Sequence, residues 1–386
     1  MSEEPIISGF LPDETPLKLL NTNDKSLKYL QELTSTLPKL LLTNQIRLKV
    51  KNLNFDSLDI RELSQRELKC LNVQLSFLAH AYIWGDKTPN TKLPSPLSEL
   101  WVKVSNNLGR PPVLSYASYC LDNWHKIDPN KAISLDNVAL NYNFLGGIDE
   151  DWFVTIHICI EYAARGAISS THRIVHLLLD DSQPENIKKE LVKILESLQE
   201  VNFIFRKMPD KCDPYIYYHR VRPYIFGWKN NPALPNGLIY ENCFDDVPQL
   251  FRGETGAQSS IIPTLDALFN VKHERDELRD YLDEMKNYMP PEHRKFIDYV
   301  ESNSKLSEFI EKNQDLQEVF DLCLSEISAF RSQHLQYASD YIHKQNTKNT
   351  LFGTGGSVVR GTGGTPFMRY LKKHRDETDK SKNRKS

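Results

Sequence analysis

The chain has 386 residues, of which 40% are hydrophobic and 26% charged, the balance of a folded globular protein and far from the disordered range. A net charge of −3 excludes the strongly basic footprint of a nucleic-acid binder. Six well-separated cysteines without a CxxC pair exclude a disulfide-stapled secreted scaffold. No run approaches the roughly 18 apolar residues that span a bilayer, and the opening MSEEPIISGF lacks the basic-then-apolar order of a signal peptide. The expected setting is therefore the cytosol, with no membrane partner.

Residues 1–145 read as a smaller N-terminal domain, broken by Pro89, Pro94, Pro96 and Pro111-Pro112. Within it, His80 is flanked by apolar and aromatic neighbours in Ser76–Trp84, where a hydrogen-bonded core histidine is a better reading than a ligand. After Gly146-Gly147 the chain turns helix-rich, and 146–375 reads as a large helical domain. Trp152–Ile160 is apolar nearly all round, as in a buried helix, and so places His157 where it must be hydrogen-bonded or functional. His172 and His176 share a helix face, yet lack the carboxylate of an HExxH zinc motif.

Pro184 follows polar residues that suit a helix start, and Ile187, Leu191, Ile194, Leu198, Val201 and Phe205 then form one stripe, closed at Met208-Pro209-Asp210. Pro223 disfavours helix at Arg222, which predicts a corner there, with the guanidinium among Tyr217, Tyr224, Phe226 and Trp228. Such an arginine could grip a carboxylate or pair with a structural acid. A second long helix is predicted over Asp315–Ile342, its stripe running Val319, Cys323, Ile327, Phe330, His334, Tyr337 and Tyr341. Arg331 lies one turn before His334. The pattern admits either a core histidine or a ligand to the iron of a carboxylate-bearing cofactor.

Two short glycine-rich copies, Gly353–Ser357 and Gly361–Thr365, lack GKS or GKT and suit a linker or cofactor-covering loop better than a phosphate cradle. The basic stretch from Arg369, and in particular 376–386, reads as a solvated tail. His125, His273, His293, His343 and His374 sit among charged residues and are expected to be exposed. Strand signals are sparse, so the fold class is mainly α-helical.

Several runs together resemble the indoleamine 2,3-dioxygenase family, in particular its fungal members. They are SFLAHAYIW (76–84), Asn123-Trp124, Asp128–Lys131, RPYIFGWKNNP (222–232), GLIYE (237–241), Gln258–Ser260, YMPPEHR (288–294), RSQHL (331–335) and GTGGT (361–365). The likeness spans roughly 70–375. It implies a large helical domain that binds haem b, with His334 as the proximal iron ligand, Arg331 near a haem propionate and Asp266 beside that arginine. It further implies that Phe153 packs over a substrate indole and that Arg222 binds the substrate carboxylate. Tyr116, Tyr119 and Cys120 match the inner pocket wall, Tyr217 falls where many relatives carry phenylalanine, and Thr362 matches a loop threonine that closes over the substrate. His157, serine in vertebrate members, becomes a hydrogen-bond partner for the indole N–H. The implied reaction inserts both atoms of O2 across the C2–C3 bond of L-tryptophan to give N-formylkynurenine. That is the first step of the kynurenine route toward NAD, in a cytoplasmic monomer. The rival classes are a non-catalytic haem sensor or storage protein of the same fold and a cofactor-free helical scaffold.

Overall fold

A computed structural model describes residues 9–55, 58–180, 182–274, 277–346 and 368–382. Eleven helices of eight or more residues organise these parts: α1 Lys25–Ser35, α2 Gln65–Trp84, α3 Ser95–Asn107, α4 Ile148–Ala163, α5 Arg165–Leu179, α6 Pro184–Phe205, α7 Ile261–Leu268, α8 Glu277–Lys286, α9 Pro291–Asn303, α10 Gln317–Ala338 and α11 Met368–Lys380. The described strands are two short pairs, Lys92–Leu93 parallel to Ile239–Tyr240 and Trp124–Lys126 antiparallel to Val138–Leu140. The fold is mainly α-helical, as the sparse strand signals indicate.

Local chemistry sets the helix starts. Ser64 and Glu67 form a reciprocal capping box on α2. Asp149, Glu150 and Asp151 fill the first turn of α4, where the helix dipole favours negative charge. Pro184 opens α6 from a position where no intrahelical N–H is needed. The predicted stripe of α6, from Ile187 to Phe205, is buried throughout. This helix is the hub: α4, α5 and α10 all pack on it, and α11 packs on α10.

On α10 the stripe divides. Val319, Cys323 and Ile327 are buried in the core, whereas Phe330, His334 and Tyr337 retain accessible surface. The lower half of this row therefore borders a cavity while Phe330 and Tyr337 pack on Phe205 of α6.

Two expectations are corrected. Arg222 does not end its helix: a π-helical turn over Tyr217–Val221 leads directly into a helical turn over Arg222–Ile225. Pro223 falls in the first turn of that new stretch, where its missing N–H costs little. The expected solvated tail is also helical through Lys380, with His374, Glu377, Thr378 and Ser381 buried. Those positions follow helical spacing, but the stripe is polar, so hydropathy does not reveal it. The glycine-rich copies and Thr362 lie outside the described residues.

One backbone crossing positions the far side of the cavity. A Cβ on Gly227 would stand 2.1 Å from the Gly253 nitrogen, and one on Gly253 would stand 2.3 Å from the Gly227 nitrogen. No side chain fits at either place, so two glycines let the Arg222 segment and the Glu254 loop touch. The Glu254 N–H donates to the Ile225 carbonyl at 3.1 Å.

Candidate active site

A cavity of about 510 Å3 opens between α4, α6, α7 and α10, within the range of roughly 300–1,000 Å3 typical of cofactor and ligand pockets. Leu198, Val201 and Phe205 of α6, Ile262 and Ala267 of α7, and Phe330 of α10 make much of its wall apolar. Three π-helical turns carry residues at or next to it: Ala117–Leu121, Tyr217–Val221 and Ser339–His343. Such turns bulge the backbone and aim side chains out of regular register.

His334 enters this wall from α10. Its ring has accessible surface, yet burial, helped by the neighbouring His157, pulls its pKa down to about 4. Both observations hold because the accessible surface borders the cavity, deep inside the protein. A neutral imidazole with a free lone pair is the form that ligates iron.

His157, on α4, also lines the cavity and is held neutral by burial. Its Nδ1 lies 2.8 Å from the Phe153 carbonyl, which can only accept, so Nδ1 carries the proton and Nε2 is left as an acceptor. Phe153 packs 4.5 Å from His157 and 4.7 Å from Tyr217, ring centre to ring centre. These three rings form an aromatic shelf on the cavity.

Charged groups gather at the opposite margin. Arg331 donates to Asp266 Oδ2 at 2.6 Å and also bonds Thr378 of α11. His273 Nε2 lies 3.2 Å from the same carboxylate oxygen. Burial alone would raise the Asp266 pKa, but the Arg331 and His273 charges outweigh it and hold it at about 2. Oδ1 of Asp266 is buried with no hydrogen-bond partner among the described residues, which leaves an acceptor for an incoming donor.

The cavity thus brings together His334, Arg331, Asp266, Phe153, His157, Tyr116 and Tyr217. It does not bring in every predicted residue. Tyr119 and Cys120 are buried behind the wall, the former donating to Glu150 Oε1 at 3.2 Å. Arg222 is fully buried outside the wall, its guanidinium carbon 4.9 Å from the Phe226 ring centre and 5.1 Å from that of Tyr218. Its charge nevertheless acts on Tyr217, which is in the wall.

Sequence reasoning missed five residues here. Glu254 lines the cavity and is 2% exposed, and burial pushes its carboxyl up to about 8. Glu161 is raised to about 7 by burial, against hydrogen bonds from Ser259 and Tyr116. His273 and His374, expected to be exposed, line the cavity and stack 4.1 Å apart. His293, also expected outside, is buried against Phe10 and Ser260. For the three histidines the neighbouring charges, such as Lys272, Lys295 and Lys372, point to another face of the element, a detail that local composition does not carry. His80 is the buried, bonded histidine expected, linking Tyr224 and Leu114 at 2.7 and 3.0 Å.

The donor set suits a planar iron porphyrin. It offers a neutral imidazole on one wall, apolar side chains around it, and a guanidinium at the margin for a carboxylate. Fold and site together define a mainly helical protein with an internal, largely apolar cavity bordered by a neutral histidine and a guanidinium.

Comparison with known proteins is consistent with that class. The family model described as indoleamine 2,3-dioxygenase matches residues 5–381. Indoleamine 2,3-dioxygenase 1 of Rattus norvegicus is 35% identical, over 89% of this chain and 87% of its own. Indoleamine 2,3-dioxygenase of Saccharomyces cerevisiae is 32% identical, over 96% of this chain and 90% of its own. Indoleamine 2,3-dioxygenase nanC of Aspergillus nanangensis is 28% identical, over 96% and 94%. The chain belongs to the indoleamine 2,3-dioxygenase family and is an oxidoreductase of that family.

Proposed function

We propose that this protein is a cytosolic, haem b-dependent dioxygenase that converts L-tryptophan and O2 to N-formylkynurenine, at the head of the kynurenine route to NAD. The observation that carries the reading is His334: a neutral histidine on the last long helix, deep in the protein, with its accessible surface on a cavity of about 510 Å3. Haem, held at its iron by His334 and at a propionate by Arg331, would supply the oxygen chemistry.

The remaining residues would position the substrate. The shelf of Phe153 and Tyr217 offers flat apolar surface to an indole, and Tyr116, held by Glu161 and Gln258, fixes the far wall. The Nε2 acceptor of His157 is available to the indole N–H, because Phe153 already holds the proton on Nδ1. Holding the ring at a fixed distance and tilt makes the oxygen addition effectively unimolecular. No general base is required, since His157 is assigned to orientation.

Arg222 is the carboxylate partner in this reading. It lies behind Tyr217 and would reach the substrate through a shift of that ring. Asp266 orients Arg331, and Tyr119 and Cys120 support the pocket wall from behind. Loading of haem into His334→Ala tests the carrying observation. Haem content should collapse while the helical circular dichroism stays, and normal content with unchanged axial ligation would reject His334 as the iron ligand.

A further inference from the structure

A second cluster of ligating atoms lies beside the cavity and is not used by the chemistry proposed above. His273 follows α7, and His374 and Glu377 stand three apart on one face of α11. One ligating atom from each falls within 4.8 Å of the other two. His374 and Glu377 are buried, and the His273 side chain is only 2% exposed.

We propose that His273, His374 and Glu377 form a binding site for a divalent transition metal of the zinc class, which fastens α11 to the segment after α7. Two imidazoles and one carboxylate are a three-ligand set that zinc accepts, with a fourth position left for water. The support for the His273 ring is already in place. His273 presents Nδ1 to Glu377 Oε2 at 2.6 Å and Nε2 to Asp266 Oδ2 at 3.2 Å. Asp266 is in turn held by Arg331. This is the carboxylate–histidine–metal arrangement, in which a carboxylate on one ring nitrogen fixes the tautomer and makes the other the ligand.

Glu377 is equally prepared. Its Oε1 accepts from the Glu274 N–H at 3.3 Å and lies 3.7 Å from the Lys373 ammonium, so Oε2 is the oxygen turned to His273. Without metal, His273 Nδ1 and Glu377 Oε2 face each other at 2.6 Å across the place the cation would take. Metal binding replaces that direct contact and draws in the ring of His374, stacked 4.1 Å from His273. His273 and His374 both border the cavity, which gives the ion a route in.

The competing pair is His172 and His176, whose Nε2 atoms are 3.0 Å apart on the exposed face of α5. It has two imidazoles, and among the described residues no carboxylate is hydrogen-bonded to either ring. The two sites are separated by titrating the full-length, haem-loaded protein with zinc against a chromophoric chelator. Wild type and a His172→Ala/His176→Ala double variant should each bind one equivalent tightly. His374→Ala and Glu377→Gln should each weaken that binding at least tenfold, and zinc should raise the thermal midpoint of wild type but not of these two. No zinc binding, equal binding in His374→Ala and Glu377→Gln, or loss of binding in the double variant would each overturn the proposal. Should His374→Ala not fold, X-ray absorption at the zinc edge of the His172→Ala/His176→Ala variant decides: two imidazole ligands support the site, and fewer overturn it. Because the readout is zinc stoichiometry, failure here leaves the haem assignment of His334 untouched.

Discussion

Replacing Asp266 by asparagine removes one charge from a buried network without changing its shape. Asp266 and Arg331 have side chains 15% and 7% exposed and meet at 2.6 Å. The carboxyl is held at about 2 against an ordinary 3.8, and at 1.36 kcal/mol per pKa unit this difference is worth roughly 2 kcal/mol at neutral pH. Stranding a buried partner of an ion pair costs about 3–5 kcal/mol. Arg331 keeps its bond to Thr378, so Asp266→Asn should lose about 2–4 kcal/mol. The sign with pH follows from the lowered pKa. The contribution is complete above pH 4 and is lost as pH falls toward 2, so wild type and variant should converge on acidification. Urea unfolding followed by far-ultraviolet circular dichroism at pH 7, repeated down to the lowest pH at which both fold, measures both. A loss under about 0.5 kcal/mol at pH 7, the range of an ordinary surface change, would show that this network does not hold α7 to α10.

Other substitutions separate positioning from structure. His157→Ser should keep haem and partial turnover while changing discrimination between tryptophan and 1-methyltryptophan; loss of haem would make His157 an iron ligand. Arg222→Ala should cost tryptophan turnover efficiency about 2–5 kcal/mol in kcat/KM and leave tryptamine, which has no carboxylate, nearly unaffected; an equal fractional loss for both would assign Arg222 to the fold alone. His80→Leu, which strands the Tyr224 carbonyl and Leu114 N–H, should lower stability by about 2–4 kcal/mol in urea unfolding. Burial holds the His80 pKa at about 4, so wild type should lose stability as pH falls from about 6.5 to 4, where only the unfolded chain binds that proton; His80→Leu should flatten that slope, and an unchanged slope would count against a buried neutral imidazole.

Helices with apolar stripes were legible from spacing alone. α6 matches its predicted stripe residue for residue, whereas α10 spans Gln317–Ala338 within the predicted 315–342 and buries only the first part of its stripe, Val319, Cys323 and Ile327. The role of His334 was half legible: the row placed it inward, but spacing cannot tell a core from a cavity, and only the packing of α6 and α7 around it makes the difference. α11 was illegible because its inner face is polar and is satisfied by partners more than a hundred residues away in sequence, as in Glu377 with His273. Glu254 was illegible for a similar reason. Its burial follows from the contact of Gly227 with Gly253, which is visible only in three dimensions. The π turn that carries Arg222 past Pro223 breaks the local rule used to predict a corner.

The central claim is that tryptophan is opened by insertion of both atoms of one O2 molecule. It is tested most directly by single turnover of the reduced, haem-loaded protein with tryptophan under 18O2, followed by mass spectrometry of the product. The account predicts N-formylkynurenine carrying two 18O atoms. Product with one label or none, or fully loaded protein that leaves tryptophan unchanged, would contradict it.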